Sequence, residues 1–192
     1  MAHSPKNLLK QACIPILLLS TFPGRATASG NHFAEFAQSC GVTAVVASAR
    51  IFSDNNKNQW KEYLTPKQVP ENTEWSDRAY VLGNVDFPVA IDVEGLGEDF
   101  GDSTYYCFNA SGRLSSLEHE FRTAWGWGFA ERRELDTNGR ETTKSHFFSM
   151  TERKEIPRPA NADDVREAMT VKIYKKLSDV PFFQLLKHGT SG

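Results

Sequence analysis

The chain is poor in the residues and patterns that announce chemistry. It holds three cysteines in 192 residues, at 13, 40 and 107, and no C-x-x-C pair. That spacing excludes a thioredoxin-like redox motif and the paired-cysteine zinc sites. There is no G-x-S-x-G elbow, no G-x-x-x-x-G-K-[ST] loop and no dinucleotide fingerprint. Gly95, Gly97 and Gly101 give only G-x-G-x-x-x-G, among carboxylates that would repel a phosphate. The histidines His32, His119, His146 and His188 are dispersed, and none forms a metal-ligand pair at helical spacing. No catalytic residue, metal site or cofactor is therefore assigned from sequence. Clustered positive charge is missing too: Arg132-Arg133 and Lys175-Lys176 are isolated pairs. Binding to a phosphate backbone needs several grouped cations, so nucleic acid is not an expected partner. Long apolar runs are absent as well. The richest, around Ile14 to Leu19, falls far short of the roughly 20 residues that cross a bilayer, so no membrane span is expected.

That short run has a different meaning. Lys6 and Lys10 precede it, Pro23-Gly24 breaks it, and Ala26-Thr27-Ala28 supplies the small residues a signal peptidase requires. Residues 1–28 are expected to be an export signal, and 29–192 a single globular domain, secreted or periplasmic. The whole chain sets 22 basic residues against 24 acidic ones, a formal net charge of −2. The signal carries Lys6, Lys10 and Arg25 and no acid, so 19 basic residues then face 24 acidic ones, a net of −5. Cys13 would leave with the signal. The remaining pair, Cys40 and Cys107, is expected to form a disulfide in an oxidising compartment.

Periodicity outlines an α+β domain. His32 to Cys40 places Phe33, Phe36, Ala37 and Cys40 at helical spacing, and Gly41 stops the helix. Val42 to Phe52 is β-branched and predicts a strand, with Trp60 to Leu64 pairing back. Thr65 to Asp77 is a loop, and Ala79 to Val93 predicts two strands or one bent strand, broken at Gly83-Asn84 and Pro88. Four strands follow: Thr104 to Phe108, Arg113 to Thr123, Trp127 to Leu135 and Arg140 to Met150. Two of their connections share one pattern, Phe108-Asn-Ala-Ser-Gly-Arg113 and Leu135-Asp-Thr-Asn-Gly-Arg140. Asx and Gly supply turn bonds and positive φ, so the region is an antiparallel meander. Asn161 with Asp164 predicts a helix start whose face is Val165, Ala168 and Met169. Thr170 to Tyr174 predicts a closing strand. Asp179 caps a last turn with Phe182, Leu185 and Leu186 turned inward. The expected fold is a curved antiparallel sheet with short N- and C-terminal helices packed against it.

The paired apolar-Asx-x-x-Gly-Arg hairpins, the aromatic strands and the tail from Val171 to Phe183 resemble secreted bacterial β-meander proteins of unassigned function. The resemblance covers Thr104 to Leu186. It implies a meander fold and an exported setting, and no activity.

Three constellations are candidates for function. Trp125-Gly-Trp127-Gly-Phe129 would line one face of an extended strand with rings. Such a face can bind a small apolar or carbohydrate ligand, or a protein partner; as core, the same rings would carry stability alone. The segment Asp92 to Asp102 holds five carboxylates, Asp92, Glu94, Glu98, Asp99 and Asp102, without an EF-hand pattern. Its simplest reading is a solvated loop. Glu118-His119-Glu120 turns His119 inward with Leu117 and Phe121, leaving the two glutamates on the other side. The leading functional reading is a non-enzymatic binding domain that uses Trp125, Trp127 and Phe129. The alternatives are an envelope hydrolase drawing on Asp92 to Asp102 with Glu118 or Glu120, and a purely structural or inhibitory protein.

Overall fold

A computed structural model describes residues 26–43, 49–54, 59–70, 76–96, 99–136 and 138–188. The expected export signal lies almost wholly outside the described residues. Among the described residues nine strands form one antiparallel sheet: β1 Arg50–Asp54, β2 Trp60–Tyr63, β3 Ser76–Gly83, β4 Val89–Leu96, β5 Phe100–Phe108, β6 Leu114–Thr123, β7 Trp127–Leu135, β8 Glu141–Ser149 and β9 Glu155–Ile156. Their order is β2-β1-β3-β4-β5-β6-β7-β8-β9, so consecutive strands are neighbours throughout except β2 and β3, which have β1 between them. The helices are α1, Ala26–Ser39, and α2, Phe183–His188.

The repeated turns explain why the meander folds back where it does. Asn109 Oδ1 accepts the amides of Ser111 and Arg113 at 3.0 and 3.1 Å, and Gly112 N donates to Asn109 O at 2.8 Å. Asp136 Oδ1 accepts the amides of Asn138 and Arg140, both at 2.8 Å, and Gly139 N donates to Asp136 O at 2.9 Å. Gly112 and Gly139 sit at φ 70° and 78°, where a Cβ would be strained. Identical sequence punctuation gives identical hydrogen-bond closure.

The two faces of the sheet are covered by different segments. On one face α1 lays Phe33, Phe36 and Ala37 onto Leu82, Ala90, Tyr105 and Cys107. The helix ends in a left-handed cap at Gly41, φ 79°, with Val42 N donating to Ala37 O and Gly41 N to Gln38 O, both at 3.0 Å. Buried Val42 then packs under the helix. The Cys40–Cys107 disulfide, Cα–Cα 5.8 Å, ties the helix end to β5. His32 Nε2 meets Glu118 Oε2 of β6 at 3.1 Å, and Arg132 Nη1 of β7 reaches Glu118 Oε1 at 2.9 Å.

The opposite face is covered by the C-terminal segment. Phe182 stacks on Phe52 at 4.8 Å and meets Trp60 at 4.7 Å, while Leu177, Val180 and Leu186 join Val81, Ile91 and Leu117. Arg50 fixes the end of α2: its guanidinium donates to the carbonyls of Leu185 and Leu186 at 2.8 Å and is bound by both carboxylate oxygens of Glu62. A cation on the last carbonyls satisfies acceptors that a helix end leaves open. Because both faces are covered, residues 103–108 of β5 are buried without alternation.

Three sequence expectations need correction. The strand expected over Val42 to Phe52 begins only at Arg50, and residues 44–48 lie outside the described residues. Residues 160–169 form a run of turns, not a helix. Bonds such as Ala162 N to Pro159 O and Asp164 N to Asn161 O close tight turns. The expected cap, Asn161, instead accepts Trp127 Nε1 at 3.1 Å. The anticipated apolar set still holds, since Val165, Ala168 and Met169 pack on Phe121 and Trp127. Thr170 to Tyr174 is no strand: it crosses the sheet face and joins it through a bridge between Arg113 and Lys176.

Candidate functional site

The aromatic stripe divides. β7 starts at Trp127, so Trp125 is not on the strand; it stands half exposed (50%) in the preceding turn, with Gly126 at φ 86°. Trp127 is buried (5%) between Phe121 and Phe147, at 6.2 and 5.8 Å. Gly128 explains the opposite side: a Cβ there would run into the Phe148 ring and the Phe121 carbonyl. That glycine serves close packing, not ligand approach. Phe129 has a more open position, partly buried and 5.2 Å from the Phe147 ring.

Phe129 and Phe147 form a wall of a pocket of about 450 Å³ on the C-terminal face. Met169 and Val171 of the crossing segment add apolar surface, and Glu131, Arg133, Arg158, Asp163 and Arg166 supply charge. Arg158 lies over the Phe147 ring at 5.5 Å. It also shares one oxygen, Asp163 Oδ1, with Arg166. The two guanidiniums hold the Asp163 carboxyl below its ordinary pKa, Arg166 more strongly than Arg158. Arg133 is bound by Glu131 at 2.5 Å and Glu141 at 2.9 Å. The pocket thus combines two phenyl faces with a pair of arginines that one carboxylate only half neutralises.

A second pocket, about 250 Å³, lies further along the same face and shares Thr170 and Val171 with the first. Asp54, Asp77 and Asp102 line it, with Trp60, Tyr106, Tyr174 and Lys172. Strand register puts these acids in one row. Asp54 pairs with Trp60, and Asp77 lies one rung beyond the Arg78–Ser53 pair. Gly95 stands opposite both Asp77 and Asp102. A Cβ on Gly95 would strike the Asp102 carboxylate, so glycine is what lets that side chain lie across the strand. Burial, followed by the charge of Asp77, raises the Asp102 carboxyl to about 7. Asp77 is raised as well, by burial and then by Asp54. Tyr106 donates its hydroxyl to Lys172 O at 2.7 Å, which holds the crossing segment over the pocket.

His119 sits behind this row, buried as its alternation predicts. Its Nδ1 lies 3.0 Å from Thr104 Oγ1 and 3.9 Å from Asp102 Oδ2. Desolvation lowers its pKa to about 4, which keeps the ring neutral.

The acidic segment is not the expected solvated loop. Asp92 and Glu94 belong to β4 and Asp102 to β5, while Glu98 lies outside the described residues. Asp92 is buried on the α1 face opposite Tyr80 and Tyr105, and its Oδ1 has no hydrogen-bond partner. Burial, then the charge of Glu94, raises its carboxyl well above the usual range. Glu118 and Glu120 also face the α1 side, away from Asp102. Glu118 is held below its ordinary pKa, first by its bond to His32. Among the described residues no group of three or more His, Cys, Asp or Glu is placed to hold a metal ion. No helix among them is long and apolar enough to cross a membrane.

Sequence pattern gave no warning of Asp54 and Asp77, which are far from Asp102 in the chain. Asp54 ends the short strand β1 at a buried position, while Asp77 is exposed near the start of β3, and neither carries a motif. No protein-family model, curated protein or solved structure matches this chain.

Proposed function

We propose that the protein is an exported, non-enzymatic binding domain that holds a small molecule with an apolar body and an anionic end. The observation that carries this reading is the pocket of about 450 Å³, walled by Phe129 and Phe147 and flanked by Arg158 and Arg166. Binding sites for small molecules are mostly apolar concavities with a few placed polar groups. Phenyl faces take the body of the ligand. The two arginines, anchored on a single carboxylate oxygen, retain donors for a carboxylate or sulfonate. Of the stripe, Phe129 lines this pocket, Trp127 supports the Phe147 wall from behind, and Trp125 lies outside it. Export rests on the pattern of residues 1–28 and is supported by the Cys40–Cys107 bond, since disulfides persist in oxidising compartments.

The hydrolase reading has less support. The acids it invoked are split between opposite faces, with Asp102 on one and Asp92, Glu118 and Glu120 on the other. A protein-docking reading has less support too: among the described residues the exposed large apolar side chains are Leu64, Phe87, Trp125 and Ile173, on separate segments.

The test uses 8-anilinonaphthalene-1-sulfonate, which has an apolar body and one sulfonate. The folded protein should bind it saturably, with the Trp127 emission quenched by energy transfer. Phe129→Ala and the Arg158→Ala/Arg166→Ala pair should each weaken it about tenfold, a difference of about 1.4 kcal/mol. Binding that is non-saturable, or unchanged in both variants, would refute the assignment.

A further inference from the structure

Resting on the binding function proposed for the first pocket, we infer that Asp163 fills its anion subsite until the acidic end of a ligand takes that place.

The first reason is where the carboxylate lies. Asp163, Arg158 and Arg166 all line the pocket, beside Phe129 and Phe147. Arg158 Nη2 donates to Asp163 Oδ1 at 2.6 Å, and Arg166 Nη2 donates to the same oxygen. One acid between two guanidiniums is the arrangement a ligand carboxylate would make there. Both arginines favour the charged form, Arg166 first, and hold the Asp163 carboxyl below its ordinary pKa. The chain's own side chain marks the position an anion takes.

The second reason is how loosely that position is held. The side chains of Arg158, Asp163 and Arg166 are 51, 59 and 72% exposed. Ion pairs this open to water add little to stability, so exchanging one carboxylate for another costs the fold almost nothing. Asp163 also stands on a run of turns, closed by bonds such as Ala162 N to Pro159 O and Asp164 N to Asn161 O. Arg133 of the same pocket is the contrast. It is bound by two strand carboxylates, Glu131 and Glu141, and its side chain is only 24% exposed.

The third reason is what each competitor brings. Aspartate offers the arginines charge alone. An amphiphilic anion offers the same charge together with an apolar body for Phe129, Phe147 and Met169. Those added contacts tip the exchange toward the ligand. Arg158 keeps its place over the Phe147 ring, 5.5 Å from the centroid, when Asp163 leaves. A neutral molecule cannot replace Asp163 on the guanidiniums, and an inorganic anion has no apolar body with which to outbid it. Asp163 thereby sets the specificity of the pocket for molecules that carry both parts.

Fluorescence titration at low salt and pH 7 tests this with two probes: 8-anilinonaphthalene-1-sulfonate and N-phenyl-1-naphthylamine, its counterpart without the sulfonate. Asp163→Asn should tighten the sulfonate about threefold or more and leave the neutral amine within about twofold. Asp163→Glu keeps a carboxylate and should stay near wild type. In the Arg158→Ala/Arg166→Ala background, Asp163→Asn should have no effect. Circular dichroism should be the same in every variant. Unchanged or weaker sulfonate binding in Asp163→Asn, equal tightening of both probes, or tightening that persists without the arginines would overturn the exchange. With saturable, Phe129- and arginine-dependent sulfonate binding in the wild type, those results remove the exchange and leave the binding function standing. No sulfonate binding in the wild type and in Asp163→Asn alike removes both.

Discussion

The two faces of this sheet are closed by opposite means. On the α1 face a regular helix presents an apolar stripe and is then fastened, by the disulfide at its end and the His32–Glu118–Arg132 ion cluster at its middle. On the other face an irregular segment, with hardly any regular structure before α2, is held by packing of Phe182, Leu177 and Leu186. The fastened face buries one awkward acid, Asp92. The packed face has both pockets and a row of three acids. A helix fills the surface it covers, because its side chains recur at fixed spacing. A turn-rich crossing segment leaves gaps between its anchors, and those gaps are the pockets.

The largest break in this contrast should come from the packed face. Phe182→Ala removes a ring stacked between Phe52 and Trp60, and Arg50 loses the helix end it caps. Urea denaturation should show a loss of about 4–5 kcal/mol, near the top of the range for a buried phenylalanine. A loss below about 1 kcal/mol would mean that the C-terminal segment is not what closes this face.

The fastened face should respond next. The disulfide spans 67 residues of sequence, and the chain-entropy model assigns such a loop roughly 4 kcal/mol, of which real proteins often realise less. Cys40→Ala/Cys107→Ala should therefore cost about 3 kcal/mol, with amide exchange accelerated in α1 first. Uniform acceleration across the sheet would show that the bond supports the whole domain and not one face.

The smallest effect has the opposite sign. The folded Asp102 carboxyl sits at about 7 against an ordinary value near 3.9, so the native state binds that proton more tightly than the unfolded chain. Its contribution is full below about pH 4 and is lost as pH rises through 7. Asp102→Asn should stabilise the protein at pH 8 and make no difference at pH 4. The gain expected is about 1–2 kcal/mol, reduced from the full shift because water reaches part of the side chain. His119 contributes the reverse slope, with stability lost as pH falls from 6.5 toward 4, but it is present in both proteins and drops out of the difference. A destabilised variant at pH 8 would show that the acid row is not under repulsion.

Particular residues show how far the sequence carried. Strand β7 begins and ends where alternation placed it, at Trp127 and Leu135, and Gly112 and Gly139 adopt the positive φ that their turns require. His119 is buried between Leu117 and Phe121, as period two demands. These features depend on neighbours within a few positions. Asn161 failed as a helix start because its side chain was taken by Trp127, 34 positions away. Thr170 to Tyr174 has strand composition, yet it crosses the sheet face and meets the sheet through the bridge between Arg113 and Lys176. Phe129 was legible as a candidate, but its companions Phe147, Arg158 and Arg166 carry no shared motif.

By itself the sequence determined the meander, because hairpin turns and alternation are local and each strand from β5 to β8 pairs with the next. It determined the pairing of Cys40 with Cys107 by leaving no other partner in the expected mature chain, and it set the apolar faces of α1 and of the C-terminal tail. Tertiary structure alone decided which rings became core and which lined a cavity, since that depends on what crosses over them. It also gathered Asp54, Asp77 and Asp102 into one row: strand register, fixed by pairing across the sheet, makes neighbours of residues that the chain keeps apart.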